Sequence, residues 1–485
     1  MAMKKISTLV ALSLIVSCLS CNQQGIEREI STSRMMELVN ELSSATYGGR
    51  QAGTKGDALA CDYLVTEFTN LGLQPFFSND YRQEIRVEQN EIVSAYFATT
   101  KGNRLIPHRL GSDYSCRGFS GSGKIAGPMI FCGYGYPTDY NGAYIKKNVV
   151  IVFKANALYR ERDSGSTPMM PRDKARVAMQ NGAKAIIFLP NPNDWQIAEA
   201  QGSVYDGAAP NLDSFPMLQL SPAFAKSLFN QNGKDIAKIM SKMDSKKITL
   251  PLKLNETATI EVAAHYKPCA VSNNIAAVLD GSDPLLKNEL IIVGAHIDHV
   301  GNQAGLIFPG ANDNASGVAA IREIATVMAQ HRELVKRSVV FVIFTGEELG
   351  LLGSTYFVNN LTPNQKVVAM LNFDCVAEGD SISVRGKTSM PLLYDIVKQE
   401  DGKMNSWVAN ESIIGGGADA EPFYQHGIPT LYFTTTKGYH HLHMASDNMK
   451  SLNTKLFTGI AQLGLNVTLR LASGDYDGEI TTPIP

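Results

Sequence analysis

The chain has 485 residues, of which 44% are hydrophobic and 19% are charged, and its 44 Lys and Arg nearly balance its 46 Asp and Glu. This composition is typical of a globular protein, and it excludes a disordered tail protein, a coiled coil and a collagen-like fibre. The near-zero net charge offers no reason to expect nucleic acid as a partner. Since domains usually span roughly 100–200 residues, we expect two or three of them.

Residues 1–21 are predicted to be a targeting segment. Two lysines precede an apolar run over residues 6–19, which has the length of a signal peptide and is too short for a standard membrane span. The run ends in the letters IVSCLSC, which resemble a bacterial lipobox with Cys18, or else Cys21, as the lipidated residue. We therefore expect export to the periplasm or the cell surface, with membrane contact only through this anchor. A plain secretory peptide is the alternative.

Residues 22–86 are predicted to hold a short polar tether followed by helices. Between residues 33 and 77 apolar side chains recur at steps of three and four, which gives a helix one apolar face, and Gly72 ends the pattern. The glycine-rich letters GGRQAGTKG, residues 48–56, predict a loop between two helical stretches. Arg50 in this loop is either a substrate contact or a loop anchor.

Residues 87–252 change character and are predicted to form a β-rich insert. Short apolar runs such as 149–153 and 185–189 alternate with glycine-rich turns, and a helix precedes the second run. Cys116 and Cys132 lie in this segment, where they either form a disulfide, as export allows, or stay as buried thiols.

Residues 253–485 alternate between predicted strands and helices. The apolar runs 274–279, 290–295, 339–344 and 367–373 read as buried strands, and residues 316–330 read as a helix. This alternation predicts an α/β fold, a three-layer sandwich around a central mixed, largely parallel sheet.

Polar side chains follow three of these strands, at the point where each strand ends. His296 and Asp298 follow the strand at 290–295, Glu347 and Glu348 the strand at 339–344, and Asp374 the strand at 367–373. Ligands of open α/β sheets collect beyond the carboxyl ends of the strands, so we expect these groups to converge.

Two further segments complete the predicted site. Asp313 stands at the start of a helix, and the letters YHHLHMASD, residues 439–447, supply three histidines. Imidazole and carboxylate ligands suit zinc, and the five cysteines that follow the predicted targeting segment form no Cys-x-x-Cys pair that would offer thiolates. One carboxylate can bridge two ions, and such a pair polarises a carbonyl and generates hydroxide near neutral pH. The adjacent Glu347 and Glu348 would let one glutamate bind metal while its neighbour moves protons.

These motifs resemble the zinc-dependent aminopeptidases that have a bridged dizinc site, a family with aminopeptidase Y-like enzymes, glutamate carboxypeptidases and the transferrin-receptor ectodomain. The resemblance covers about residues 253–470 together with the helices at 33–77. It implies the zinc exopeptidase fold, two zinc ions per chain, and peptide substrates with a free N-terminus. The segment at 87–252 resembles a protease-associated domain, which lies over or beside the cleft in relatives and carries no chemistry itself.

Carried over residue by residue, the resemblance implies a role for each motif residue. Asp313 would bridge the metals, His296 and Asp374 would complete one zinc site, and Glu348 and His443 would complete the other. Glu347 would be the general base, and Asp298 would fix the tautomer of His296 through a hydrogen bond.

For five residues near these motifs, the sequence leaves alternative roles open. Among the three histidines, His443 is preferred to His440 and His441 because the family's last ligand usually has an aspartate four residues later, as Asp447 is here. The family commonly has Ser-Asp where this chain has Ala418-Asp419. Asp419 is therefore a weaker candidate, for a supporting or structural role. His299 either lines the pocket or merely ends its loop.

The resemblance predicts an exopeptidase, most simply an aminopeptidase, although a dipeptidase or carboxypeptidase belongs to the same class. One rival is a glutaminyl cyclase-type transferase, whose relatives on this fold use a single zinc. Another is a non-catalytic binding relative, in which ligands would be lost; here every ligand position is filled.

Overall fold

The structure is a computed structural model that describes residues 29–157, 168–190, 199–249, 251–404, 406–409 and 414–478. The predicted targeting segment, with Cys18 and Cys21, lies outside these residues. Within the ranges described, no helix combines the length and the apolar character that a membrane span requires.

Sixteen strands of the described chain join in a single sheet. In chain order they are β1 (Gln74–Pro75), β2 (Arg82–Lys101), β3 (Arg104–Pro107), β4 (Tyr114–Cys116), β5 (Gly123–Phe131), β6 (Val149–Phe153), β7 (Ala185–Leu189), β8 (Met217–Leu220), β9 (Leu252–Leu279), β10 (Glu289–His296), β11 (Gly301–Gln303), β12 (Leu306–Phe308), β13 (Ser338–Phe344), β14 (Lys366–Phe373), β15 (Ile382–Arg385) and β16 (Thr430–Thr435).

Ten α-helices of the described residues pack against this sheet or connect its strands. They are α1 (Thr32–Leu42), α2 (Lys55–Asn70), α3 (Pro171–Gln180), α4 (Pro222–Gln231), α5 (Ile236–Lys246), α6 (Gly317–Gln330), α7 (Leu352–Asn359), α8 (Pro391–Lys403), α9 (Ala420–Gln425) and α10 (Thr454–Ala472).

One half of the sheet has the strand order β15-β16-β14-β10-β13-β9. Its four inner strands, β16, β14, β10 and β13, run parallel, and β15 and β9 flank them in antiparallel pairs. Helices α1, α2, α6, α8 and α10 bury their apolar faces on one side, and α7 and α9 cover the other. The predicted three-layer α/β sandwich with a mixed, largely parallel sheet is confirmed. Because parallel strands point the same way, their carboxyl ends share one edge.

The other half of the sheet continues through β9-β5-β6-β7-β8-β4 and has its own apolar clusters. Strands β6 and β7 fall where the sequence predicts them, and all their side chains are buried. The two halves are joined by β2 and β9, which pair with each other along most of their length. The protease-associated assignment of the segment at 87–252 stays a prediction.

The N-terminal helices begin and end at recognisable caps. The Ser31 and Thr54 side chains accept hydrogen bonds from the first turns of α1 and α2. Gly72 follows α2 with a φ of +67°, which glycine adopts readily, so the predicted helix end is found there. Cys116 and Cys132 are buried free thiols, so the disulfide alternative is not realised.

Candidate metal centre

The predicted ligands meet at the carboxyl edge of the parallel strands. His296 is the last residue of β10, Glu348 follows β13, and Asp374 follows β14. Asp313 lies in the turn before α6, and His443 lies in the loop between β16 and α10. The possible metal ligands form one cluster around His296 and another around His443, with Asp313 between them, and Asp313 and Asp374 form a third group with Cys375.

The first cluster surrounds the ring of His296. Its Nε2 atom is 3.5 Å from Asp313 Oδ1, 3.5 Å from Asp374 Oδ1 and 4.0 Å from Glu347 Oε2. Asp374 Oδ1 is buried and has no hydrogen-bond partner among the residues that the structure describes. A buried carboxylate oxygen without a donor is costly, and a cation placed among these atoms would satisfy it.

The second cluster lies on the other side of Asp313. His443 Nε2 is 3.2 Å from Asp313 Oδ2 and 3.1 Å from Glu348 Oε1. His299 Nδ1 faces the same two oxygens, at 3.5 Å and 3.1 Å. The structure therefore brings His299, which the sequence left open, into contact with two predicted ligands.

The charges of the two clusters depend on each other. Burial disfavours ionisation of Asp313, but the imidazoles of His299 and His443 outweigh it and hold the pKa of Asp313 well below its usual range. Burial likewise opposes ionisation of Glu348, and His443 with His299 lowers its pKa to about 2. Both carboxyl groups are therefore ionised at neutral pH, which is the form of a carboxyl group that a cation binds.

Asp298 does not make the expected side-chain hydrogen bond to His296. Asp298 Oδ1 lies 3.8 Å from His296 Nδ1, which instead contacts the backbone carbonyl oxygen of Asp298 at 3.1 Å. The Asp298 carboxylate accepts the backbone N–H groups of Glu347 and Glu348, at 3.1 and 3.2 Å. The expectation was wrong because the carboxylate is used to hold the next loop. A carbonyl only accepts, so Nδ1 carries the proton and leaves Nε2 free for a cation.

Glu347 differs from its neighbours in exposure. Its side chain is 20% exposed, compared with 6% for Glu348 and 4% for Asp313. Burial, with the nearby charges of Glu348 and Asp419, raises the pKa of Glu347 well above its usual value. Asp419 itself is fully buried, and burial raises its pKa to about 7. Of the clustered glutamates, Glu347 is therefore the one that a substrate reaches more easily.

The loop at 439–447 uses its histidines differently. Only His443 enters a cluster of possible ligands, whereas His441 Nδ1 contacts Glu378 at 2.8 Å. Asp447 does not support His443 directly. Its carboxylate accepts the backbone N–H groups of Asn312 and Asp313, at 2.8 and 3.0 Å, and so fixes the turn that carries Asp313.

Arg50 is a loop anchor. The fully buried guanidinium donates to four carbonyl oxygens at 2.7–2.8 Å. They belong to Leu42 at the end of α1, to Ile297 beside His296, and to Pro309 and Gly310 before Asp313. Burial lowers the pKa of Arg50 to about 10, so the side chain keeps its charge at neutral pH. One side chain thus ties the N-terminal helices to two ligand-bearing loops.

Two hydrogen bonds that support predicted ligands could not be predicted from the sequence. The Tyr432 hydroxyl in β16 donates to Asp374 Oδ2 at 2.9 Å. From the half of the sheet that contains β4 to β8, the N–H of Gly202 donates to the carbonyl oxygen of His443 at 2.7 Å. Both link residues distant in the chain, and neither follows from a motif or a periodicity.

The comparisons with known proteins agree with this arrangement. Residues 274–468 match the model of peptidase family M28. This part of the chain belongs to that family. The predicted family is confirmed, and with it an enzyme of the peptidase class; the M28 domain contains every predicted ligand and Glu347.

Similar proteins extend the likeness over most of the chain. The probable lipoprotein aminopeptidase LpqL of Mycobacterium tuberculosis is 24% identical over 426 residues, which cover 84% of this chain and 74% of LpqL. A peptidase M28 precursor from Shewanella amazonensis has a TM-score of 0.67 at 17% identity, covering 96% of this chain and 98% of that one. BSAP, a zinc aminopeptidase from Bacillus subtilis, has a TM-score of 0.61 at 18% identity, covering 94% and 99%. At these identities the two solved structures show the fold.

Proposed function

We propose that this chain is an aminopeptidase that hydrolyses the first peptide bond of peptides at a centre of two zinc ions. The observation that carries the proposal is the position of Asp313 between the clusters. Its Oδ1 faces His296 at 3.5 Å, and its Oδ2 faces His443 at 3.2 Å. A carboxylate whose two oxygens face separate groups of donors is suited to bridge two cations.

The donor sets fit zinc. Neutral imidazoles and carboxylates are zinc ligands, and zinc lies about 2.0–2.1 Å from them, so donors around one tetrahedral ion lie about 3.3–3.4 Å apart. The donor separations in the two clusters, 3.1–3.5 Å, are close to this value. The proposed ligands are His296, Asp313 and Asp374 for one ion, and Asp313, Glu348 and His443 for the other. Bound zinc would polarise the scissile carbonyl and lower the pKa of the attacking water.

Glu347 is proposed as the general base that takes the proton of the attacking water and returns it to the leaving amine. Its carboxylate borders the first cluster and is more exposed than those of Glu348 and Asp313. The two backbone hydrogen bonds to Asp298 hold the peptide that carries Glu347 and Glu348, so both carboxylates stay aimed at the centre. Asp298 therefore acts by positioning this loop.

A free α-amine is the substrate group proposed to bind beside these carboxylates. The centre gathers Asp313, Glu347, Glu348 and Asp374, whose negative charges would offset those of two zinc ions, so the site would have no excess positive charge to hold a substrate carboxylate. LpqL and BSAP are both named as aminopeptidases. The name of LpqL also supports a lipoprotein, with Cys18 or Cys21 as the anchor.

The decisive variant is Glu347→Gln, which keeps the shape of the side chain and removes its basicity. We expect it to retain zinc and to lose about 10²–10⁴-fold in kcat on aminoacyl-arylamides. The control is Glu333→Gln, in an exposed side chain outside both clusters. Near wild-type turnover by Glu347→Gln would show that the base is assigned wrongly.

Substrate and metal tests separate the rival functions. We expect about two zinc ions per chain, loss of activity with a chelator, and no cleavage when the substrate amine is acetylated. One zinc per chain together with cyclisation of N-terminal glutamine would support the transferase instead. Cleavage of acetylated peptides alone would contradict an aminopeptidase.

A further inference from the structure

We infer that His299 is a ligand of the second zinc ion, so that the two ions are held by unequal sets of protein donors. The inference rests on the proposed dizinc function and adds a ligand that the family resemblance does not supply. The second cluster would then contain four donors, from His299, Asp313, Glu348 and His443. The first would contain three, from His296, Asp313 and Asp374.

The two imidazoles of the second cluster stand in the same relation to its two oxygens. His443 Nε2 is 3.1 Å from Glu348 Oε1 and 3.2 Å from Asp313 Oδ2. His299 Nδ1 is 3.1 Å and 3.5 Å from these same atoms. All four donor atoms lie within 4.8 Å of one another. The four separations between imidazole nitrogens and carboxylate oxygens are close to the edges of about 3.3–3.4 Å in a tetrahedral zinc site.

The loop around His299 is built to hold the ring in this place. The ring is fully buried, and its backbone N–H donates to the carbonyl oxygen of Arg50 at 3.3 Å. Gly310 leaves the space for it, because a Cβ atom there would lie 2.6 Å from His299 Cδ2. The ring edge with Nδ1 faces Asp313 and Glu348, and within the described part of the chain Nε2 has no hydrogen-bond partner. The imidazole is thus fixed by packing, with its contacts concentrated on Nδ1.

Unequal donor sets divide the work between the two sites. A zinc site with four protein ligands is closed, as structural sites are, whereas catalytic sites keep a position for water or substrate. The first cluster has three proposed ligands, because Glu347, whose carboxylate also lies within reach of an ion there, is proposed as the general base. Substrate and attacking water therefore belong on the side of His296 and Asp374, while the second site holds its ion more tightly.

Two substitutions of His299 separate binding to metal from hydrogen bonding. The amide nitrogen of Asn can donate to Glu348 much as Nδ1–H would, but it is not a zinc ligand. If His299 binds zinc, His299→Asn and His299→Ala should both weaken the tighter of two zinc dissociation constants by about 100-fold or more. The weaker constant should change little. His441→Ala is the matched control, since His441 contacts Glu378 outside both clusters.

The constants are measured by zinc titration of the metal-free full chain against a competing chelator, and the imidazole count of the one-zinc form by X-ray absorption. We expect two imidazoles in the wild type and one in His299→Ala. The inference would be overturned if the tighter zinc dissociation constant stayed at its wild-type value in both variants, or in His299→Asn alone. A one-zinc form of the wild type with only one imidazole ligand would also overturn it. Thermal unfolding of the metal-free variants identifies any loss that comes from folding. A wild-type chain that binds no zinc would instead refute the proposed function.

Discussion

Arg50 offers a quantitative test of how the metal centre is assembled. In Arg50→Lys the charge is kept, but the compact ammonium has three donors and cannot span carbonyl oxygens as far apart as those of Ile297, Leu42 and Gly310. The guanidinium makes four short hydrogen bonds, and we expect lysine to preserve about two of them. At about 1.5–3 kcal/mol for each hydrogen bond to a charged group, the substitution should cost about 3–6 kcal/mol. Because domains are stable by only about 5–15 kcal/mol, the variant should fold with a reduced margin.

The assay compares urea unfolding of the metal-free wild type and Arg50→Lys, followed by zinc titration of both folded proteins. The lost bonds include contacts to the loops that carry His296 and Asp313, so zinc affinity should fall along with stability. Arg332→Lys is the control, because that arginine also donates to carbonyl oxygens, at an exposed position, and belongs to neither cluster. A loss below about 1 kcal/mol with unchanged zinc affinity would refute the reasoning, since surface substitutions typically cost that little.

Three further predictions concern single contacts. Burial raises the pKa of Asp57 to about 7, so the native state holds a proton that the unfolded state releases near pH 4. The contribution of Asp57 to stability should therefore fall by on the order of 4 kcal/mol as the pH rises from 4 to 7. Asp57→Asn should flatten that part of the pH dependence in urea unfolding, and an equal slope in both proteins would contradict this. Tyr432→Phe removes the hydrogen bond to Asp374 and should weaken zinc binding about 10–100-fold in the same titration; unchanged binding would mean that the hydroxyl does not orient the ligand. Gly310→Ala places a Cβ atom 2.6 Å from the His299 ring at a φ of +59°, so it should lower the thermal midpoint and weaken zinc retention, whereas a wild-type midpoint would show that the loop yields.

The sequence predicts the centre well where its residues follow regular strands. Buried strands are recognisable as apolar runs, and parallel strands bring their carboxyl ends to one edge, so residues after three such runs had to lie near one another. His296, Glu348 and Asp374 illustrate this, because each stands at or just beyond the end of a strand whose bounds agree with the apolar run to within a residue or two. Their precise roles stay proposals.

Residues that act through loops could not be placed in this way. His299 lies beyond β10, where no periodicity indicates which way a side chain points, and its partner Glu348 is 49 residues away. Arg50 is 247 residues from Ile297, and a single arginine in a glycine-rich loop carries no sign of its acceptors. The correction at Asp298 has the same origin: a His-x-Asp spacing does not reveal whether the carboxylate turns toward the ring or toward the backbone of the next loop.

The sequence does not predict the full length of β9 either. Over residues 252–279 the strand contains Pro268, and its pairing with β2 shifts register between Val87 and Gln89, opposite that proline. A proline cannot donate to the ladder and is tolerated at bulges, so it makes one long strand read as two short ones in a sequence. A boundary placed at residue 252 therefore falls where β9 begins, and the strand continues from the predicted insert into the sheet of the metal centre.

This continuity gives the half of the sheet around β6 and β7 a part in the centre itself. The N–H of Gly202 donates to the carbonyl oxygen of His443 at 2.7 Å, and Gln201 Nε2 donates to that of Leu442 at 3.3 Å. His443 has a φ of +56°, which a residue with a side chain adopts only when its surroundings hold it there. Because these two bonds hold the peptide that carries His443, a displacement of the 201–202 segment would move a donor of the second cluster.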